Sequence, residues 1–497
     1  MDFDFDAVVF GSGAGGSAFA QSLAKAGKRV LVVERGARPN ADHVPLDERT
    51  ALIEKRPYDD RQIRVNETKL QLYMGGVLGG GTAVFGGVML RPSTDDFLPG
   101  RHYADRLPRE LWEWPIGYED LRDYFDEAER LYAVASCPQE DFSPLHAPAD
   151  SEPHAVLPVA RINERLMAAN RQRGLRPFQL PLAIDARRCA RCANCAGYLC
   201  PHEARRSAAQ IVDETAARHD LTVMTDTEVE RLQLSGDGSI EGAMLRNRDG
   251  SRSTVRARCY ALAAGAIGSP AILMRSGIEG PQIGRNYMMH YSPLAVGLFA
   301  QPTGANHTFV KQVGFADFYF GTPALREKMG LVQSLPAPGP LMLAKTGMRR
   351  WPRCAVRFLR KRMLPLVGIV EDLPNPANRV VLGEDGSIEL RHEFSAFDRE
   401  RGRALAREMC AILRRAGAVL CGSRSFPSRE HVAHQCGTLR FGSDARHAAV
   451  DRDCRVFGRE NLFVVDGSVL PTSLGIGPSL TIVANALRVA NVAIAGI

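Results

Sequence analysis

The stretch Ala7–Gly36, AVVFGSGAGGSAFAQSLAKAGKRVLVVERG, decides the fold. AVVF is a short apolar run suited to a strand buried on both faces, and GSGAGG follows it as a turn. SAFAQSLAKAG continues as a helix that Gly27 closes, and VLVVE is a second strand. Strand, turn, helix and strand make a βαβ unit. Gly11, Gly13 and Gly16 stand in it at the spacing G-x-G-x-x-G. The first glycine permits the tight turn, the second lets backbone approach a pyrophosphate, and the third lets helix and strand pack closely. Free N–H groups at the helix start then face the phosphates. Glu34, 23 positions after Gly11, ends the second strand where a carboxylate accepts hydrogen bonds from a ribose. Together these features predict a dinucleotide site, without separating FAD from NAD.

The bulk of the chain narrows the classes. Its 497 residues are 45% hydrophobic and 24% charged, a globular composition, and no uninterrupted apolar run approaches the ~20 residues of a membrane span. The opening MDFDFD carries no basic leader, so no transmembrane segment and a cytoplasmic location are expected. Of eleven cysteines, seven are scattered singly, which points to reduced thiols rather than a secreted disulfide framework. The net charge of +7 equals the seven Lys/Arg of the acid-free segment Arg349–Arg362, RRWPRCAVRFLRKR, and elsewhere the chain balances. A general nucleic-acid surface is therefore excluded. A local basic element remains, interleaved with Trp351, Val356, Phe358 and Leu359; a solvated face, membrane-surface contact and an acidic partner all fit it.

Further along, the glycine-rich residues 75–97 read as an extended segment where backbone lies against a ligand. An amphipathic helix is expected after Pro115, a surface loop over 137–158, a helix over 204–218, a hairpin about residues 236–239 and a helix over 398–415. YALAAGAIGSP and NLFVVDGSVLPTS read as strands running into turns, and PSLTIVANALRVANVAI as a long closing helix. Residues 290–400 suit a mostly antiparallel sheet.

Residues 437–490, with GSVLPTSLGIGPSLTIVANALRVA, resemble the C-terminal pattern of the glucose-methanol-choline (GMC) oxidoreductases. GGGTAVFGG with RPSTDDF, WPIGYEDLRDYFDEAERL, LAAGAIGSPAILMRSG and EDLPNPANRVVL are similar, in order, to further family segments. The resemblance implies an α/β (α+β overall) fold in which an FAD-binding Rossmann-like domain (1–100, 200–289, 430–497) is interleaved with a substrate domain (290–429) on a mostly antiparallel sheet. Residues 101–199 would be a helical insertion carrying four cysteines. Carried over by position, Gly11, Gly13, Ala14, Gly16, Glu34 and Arg35 would hold the adenosine diphosphate half of FAD. Gly80, Gly81 and Thr82 would lie along the flavin, Val229 at the adenine, Ala264 near the ribose, Asp466 and Gly467 at the ribityl-pyrophosphate, and Pro478 at the start of the closing helix. Relatives that attach FAD covalently do so through a histidine in a GG-T-x-H-W pattern; Val84 and Phe85 occupy those places here, so non-covalent FAD is expected.

The implied reaction is oxidation of a CH–OH group in a small alcohol, a sugar, polyol or natural-product hydroxyl. Hydride would pass to flavin N5, with O2 or an external carrier as acceptor. Removing the hydroxyl proton needs a base near neutral pKa, for which histidine is suited, and His434 in HQCGT aligns with the family's catalytic histidine; His431 is the reserve. GGGTAVFGG is also similar to the flavin segment of enzymes that oxidise the 6′-hydroxyl of aminoglycosides. Where the family has His or Asn in N-P-x-L-T, this chain has Gly477, and Ser473, Asn286 and His290 are candidates for the missing hydrogen bond. The run Cys189, Cys192, Cys195, Cys200-Pro201 allows a metal-free knot of thiols, an iron–sulfur cluster or zinc. With a cluster, the chain would instead be an electron-transfer dehydrogenase subunit whose basic face docks a protein carrier.

Overall fold

The structure is a computed structural model that describes residues 3–39, 47–137, 139–149, 155–425 and 430–497. Phe5–Phe10 and Val30–Val33 pair in parallel, with helix Ala14–Lys25 between them, as a βαβ unit. Leu221–Met224 joins one edge of this pair, while Ala257–Leu262 and then Leu462–Val464 join the other, giving a five-stranded parallel sheet. Both faces of that sheet are covered, which is why its strands read as unbroken apolar runs. On one face Ala14–Lys25 packs against the closing helix Ser479–Gly496. This closing helix is long and apolar enough to cross a membrane, yet Leu480, Val483, Ala484, Leu487 and Ala490 are buried in the core. It is a core helix.

The close approach of that face depends on missing side chains. A Cβ on Gly15 would stand 1.6 Å from the Val465 carbonyl oxygen, and one on Gly16 would stand 2.1 Å from the Gly11 oxygen. Gly16 thus acts through packing, as its place in the motif requires. Gly15, outside the motif, is under the tighter constraint.

A second sheet has six strands, all antiparallel, in the order Leu420–Ser425, Pro293–Leu298, Met363–Ile369, Leu331–Ser334, Val313–Phe315, Phe178–Gln179. A third sheet crosses the expected segment boundaries. The hairpin Gln62–Val65 and Thr68–Gln71 pairs with Arg379–Leu382 and Ile388–Arg391, the parallel contact running Leu390 to Val65. The expected helix after Pro115 spans Tyr118–Leu131 and that over 398–415 spans Ala396–Arg415. The expected 204–218 helix is shorter, Ala208–Ala216. Its end is set by Ser207, whose backbone N–H donates to the Gln210 side chain in a capping box. The glycine-rich stretch is not wholly extended, since Gly80–Ala83 and Thr94–Phe97 are 3₁₀ turns. Of the 137–158 stretch, residues 138 and 150–154 lie outside the described residues, and the others form loop.

Beside the ends of strands Leu331–Ser334 and Met363–Ile369 lies a buried polar cluster. The Lys328 ammonium donates to Asp96 and, at 2.7 Å, to Glu371. Tyr319 donates its hydroxyl hydrogen to Asp96 at 2.8 Å and accepts from the Gly475 N–H at 3.0 Å. Arg401 donates to Asp398 at 2.6 Å, to the Glu371 carbonyl at 2.6 Å and to the Tyr103 oxygen at 2.9 Å. This cluster fixes the segment that ends in Gly475–Gly477 against the substrate sheet.

Candidate active site

A cavity of about 840 Å³ runs from the glycine turn across the molecule. At one end it is lined by Gly11, Gly13, Ala14, Glu34, Arg35, Val229 and Ala264, along its length by Gly80, Gly81, Thr82, Asp466, Gly467 and Pro478, and at the other end by His431, His434 and Lys311. The structure therefore brings together every sequence-derived nucleotide residue except Gly16, which lies behind the turn.

The residues at the first end fit the adenosine and pyrophosphate parts of FAD. Gly11 adopts φ +110°, and the place a Cβ would take on Gly13 is open, with nothing within 4 Å. Gly13 is the N-cap of helix Ala14–Lys25 and has no side chain to satisfy the helix's first N–H groups. Those groups are free to bind an anion. One Glu34 carboxylate oxygen accepts from the Ser12 N–H at 3.0 Å and the Ser12 hydroxyl at 2.6 Å, and the other accepts from the Gly36 N–H at 2.8 Å. The ring of donors fixes the carboxylate facing the cavity, with lone pairs left for a ribose. Arg35 is spoken for, since its guanidinium donates to Asp59 and, at 2.9 Å, to Asp60. Asp466 accepts from the Gly265 N–H, the Ser269 hydroxyl and the Ser468 N–H at 2.8, 2.5 and 2.8 Å, tying the C-terminal strand to the start of helix Gly265–Arg275. Burial raises its pKa. Thr82 serves structure: its hydroxyl donates to the Gly79 carbonyl and accepts from the Ala208 N–H.

At the far end the geometry fixes a proton inventory. His290 Nε2 lies 2.9 Å from the Leu474 carbonyl, which only accepts, so Nε2 carries the hydrogen. Burial lowers the His290 pKa to about 4, so the ring is neutral and its Nδ1 is an acceptor. Nδ1 of His434 lies 2.9 Å away and must donate to it. His434 Nε2 is left as a bare lone pair. It faces Gly477, where a Cβ would stand 3.2 Å from Nε2. The residue at 477 is thus the immediate neighbour of the imidazole, and glycine there gives the space to a substrate. Burial first, then His290, Lys311 and His431, hold His434 well below the ordinary histidine value, so it is neutral.

None of the three candidates for a second hydrogen bond faces the cavity. Ser473 exchanges two 3.0 Å hydrogen bonds with the Asp372 backbone, Asn286 donates to Gln282 at 3.1 Å, and His290 is engaged as above. Lys311, which sequence reading missed, does line the cavity. Its ammonium lies against Gly86, 2.6 Å from where a Cβ would be, and burial lowers its pKa to about 8. No motif surrounds Lys311; it lies in the turn that leads into strand Val313–Phe315.

The cysteine segment forms part of the cavity wall. Among the described residues no three His, Cys, Asp or Glu side chains gather as ligands. Cys195 is buried, which pushes its thiol up to about 12. Arg205 explains the conformation: its guanidinium donates to the carbonyls of Cys195, Ala83 and, at 2.8 Å, Tyr198. That clamps Ala193–Tyr198 onto the glycine-rich segment, and Ala193, Asn194, Ala196 and Gly197 line the cavity.

The His pair also makes stability depend on pH. The unfolded chain takes up a proton near the ordinary value of about 6.5, while folded His290 does so near 4. Stability is complete above the first value and is lost as pH falls toward the second, by about 3 kcal/mol for His290 alone. Melting temperature should therefore fall between about pH 6.5 and 4, less steeply in His290→Gln.

The GMC oxidoreductase family pattern matches residues 5–292 and, in its C-terminal part, residues 374–486. Among curated relatives, 6‴-hydroxyparomomycin C oxidase of Streptomyces lividus is 31% identical over 97% of this chain and 90% of its own length. Paromamine 6′-oxidase of Streptomyces fradiae is 30% identical over 99% and 91%. Among solved structures, pyridoxine 4-oxidase from Mesorbium loti superposes with a TM-score of 0.67 at 21% identity, covering 98% of each chain. A formate oxidase superposes at 0.68 with 15% identity, covering 100% of this chain and 99% of its own. The nucleotide cradle, the histidine at its far end and these matches agree: the chain belongs to the GMC oxidoreductases, FAD-dependent enzymes that oxidise alcohols.

Proposed function

We propose that the protein oxidises the CH–OH group of a small hydroxylated molecule, with His434 as general base and Lys311 as the group that holds the substrate oxygen. The observation that carries this reading is the bare Nε2 of His434, set by the chain Leu474 carbonyl, His290, His434 and directed at the space beside Gly477. A substrate hydroxyl there gives its proton to Nε2, and His290 Nδ1 keeps accepting from His434 Nδ1, so the ring does not turn. Bound FAD supplies the two-electron acceptor for the hydride that leaves carbon. Lys311, as a cation, stabilises negative charge growing on the oxygen.

The charges on the substrate side bear on its class. Among the described residues, Lys311 and Arg360 line that wall, and the carboxylate of Glu48 is already engaged by the Leu341 and Met342 N–H groups at 2.9 and 2.8 Å. This wall suits a neutral or acid-bearing alcohol better than a polycationic amine. The aminoglycoside oxidases among the relatives support a sugar-like polyol shape. A reduced, cytoplasmic setting belongs to the same proposal and is supported by eleven unpaired cysteines.

The test is an anaerobic panel of neutral polyols, hydroxy acids and aminoglycosides, read by bleaching of the flavin. Bleaching by a neutral or acidic alcohol is expected; a panel that bleaches only with aminoglycosides overturns the substrate class, and one that never bleaches overturns the oxidation. Lys311 adds a pH signature. The rising limb of kcat/KM lies below the ordinary histidine range, where His434 loses its proton, and a falling limb lies near 8, where Lys311 loses its charge. Lys311→Met should abolish the falling limb and cost about tenfold to a hundredfold in kcat/KM, whereas Lys311→Arg should move that limb beyond the measurable range. A falling limb unchanged in Lys311→Met assigns it elsewhere.

A further inference from the structure

The basic segment is a helix, Arg353–Arg362, and its two sides differ. Inward, Val356 is buried, and Arg360 donates to the Pro338 carbonyl at 2.8 Å and the Asn306 carbonyl at 3.0 Å while lining the cavity. Outward stand Arg353, Arg357, Phe358 and Lys361, continued by Arg349, Arg350 and Trp351 in the preceding turn. Trp351 is 52% and Phe358 55% exposed, unusual for such large apolar side chains. Arg362 rests on the Phe358 ring, 3.8 Å from its centre.

The same rim extends across the sheet. Leu298 stands opposite Met363, the residue after the helix, and opposite Leu420 on its other side. Val419 and Leu420, 71% and 63% exposed, therefore lie two strand spacings, about 10 Å, from the helix end. Arg414 and Arg415 close the helix Ala396–Arg415 just before them. No acid occurs anywhere between Glu327 and Glu371, and among the described residues none of the seven cations of Arg349–Arg362 forms an ion pair.

We propose that this face docks the enzyme peripherally on an anionic lipid bilayer. The unneutralised cations meet the anionic headgroups, and the protruding Trp351, Phe358, Val419 and Leu420 enter the boundary between headgroups and acyl chains. An acidic protein would match the charge, but no pocket is needed to take up four separated apolar side chains when the partner is a fluid surface. Arg360 places the cavity wall on the inner side of this same helix, within one helix diameter, about 10 Å, of the bilayer. The inference does not depend on the identity of the substrate.

The test is flotation of the flavin-loaded protein with phosphatidylcholine vesicles, with and without phosphatidylglycerol, and binding to soluble polyglutamate alongside. Wild type should float only with phosphatidylglycerol present, shift its tryptophan emission to the blue, and detach as salt is raised. The triple change Arg353→Gln, Arg357→Gln, Lys361→Gln should weaken vesicle binding on the order of a hundredfold, and Phe358→Ser about tenfold. Flavin content and turnover of a soluble alcohol should stay unchanged in both variants, as these side chains lie outside the cavity. Absence of flotation overturns the proposal, as does flotation that both variants keep. Tight binding to polyglutamate without flotation overturns it in favour of an acidic protein partner.

Discussion

His434→Ala should lower kcat/KM for alcohol oxidation by about a hundredfold to ten-thousandfold while leaving flavin content intact. The imidazole is the group whose unprotonated nitrogen faces the cavity, and its hydrogen is committed to His290 on the other side. Loss of the side chain removes the acceptor for the hydroxyl proton and enlarges the cavity beside Gly477. Anaerobic single-turnover bleaching isolates this step from reoxidation by the acceptor. His290→Ala is the informative companion. It leaves Nε2 in place but removes the acceptor for Nδ1–H, freeing the ring to turn and take the other tautomer. Its effect should be smaller, about tenfold to a hundredfold, and should fall on kcat more than on KM. Equal bleaching rates in wild type and His434→Ala would sink the assignment of the base.

Lys328→Met should destabilise the protein by about 3–5 kcal/mol, the cost of breaking a buried ion pair from one side. Lys328, Asp96 and Glu371 are all buried, so the methionine would leave two carboxylates without the cation that bridges them. Burial alone would raise Glu371, but Lys328 holds it ionised below its ordinary value, whereas Asp96 stays raised by burial. The variant forces at least one more proton onto the pair, so its loss of stability should be least at low pH, where that proton is available. Asp96 also accepts from Tyr319, which holds the Gly475 N–H, so the damage should reach the His434–Gly477 end of the cavity. Chemical denaturation across pH measures both effects. A loss that does not vary with pH would point to packing rather than charge.

The nucleotide half of the site was legible in the chain because its chemistry is local. Gly11, Gly13 and Glu34 do their work through backbone conformation and neighbours within one βαβ unit, and spacing alone reports that. His434 was legible through the HQCGT resemblance. Lys311, His290 as the partner of His434, and Arg205 as the clamp of the cysteine segment were not, because each acts on residues far away in sequence. His290 lies 144 residues from His434, and Arg205 donates to a carbonyl 122 residues away. The role of Arg205 in holding the cysteine run was hidden for the same reason: a spacing that lets four thiols converge does not say how distant residues place the backbone that carries them.

The sequence by itself determined the βαβ unit, the family and its cofactor, and it marked His434 as the candidate base, since periodicity, glycine spacing and short motifs encode local geometry directly. Tertiary structure decided the rest: which tautomer His434 holds, that Lys311 lines the cavity that Gly477 also lines, and that the residues between the cysteines form part of its wall. Those properties depend on distances between distant segments and on removal of water, and burial sets the pKa values of His290, His434 and Lys311 only once the two large sheets have closed over them.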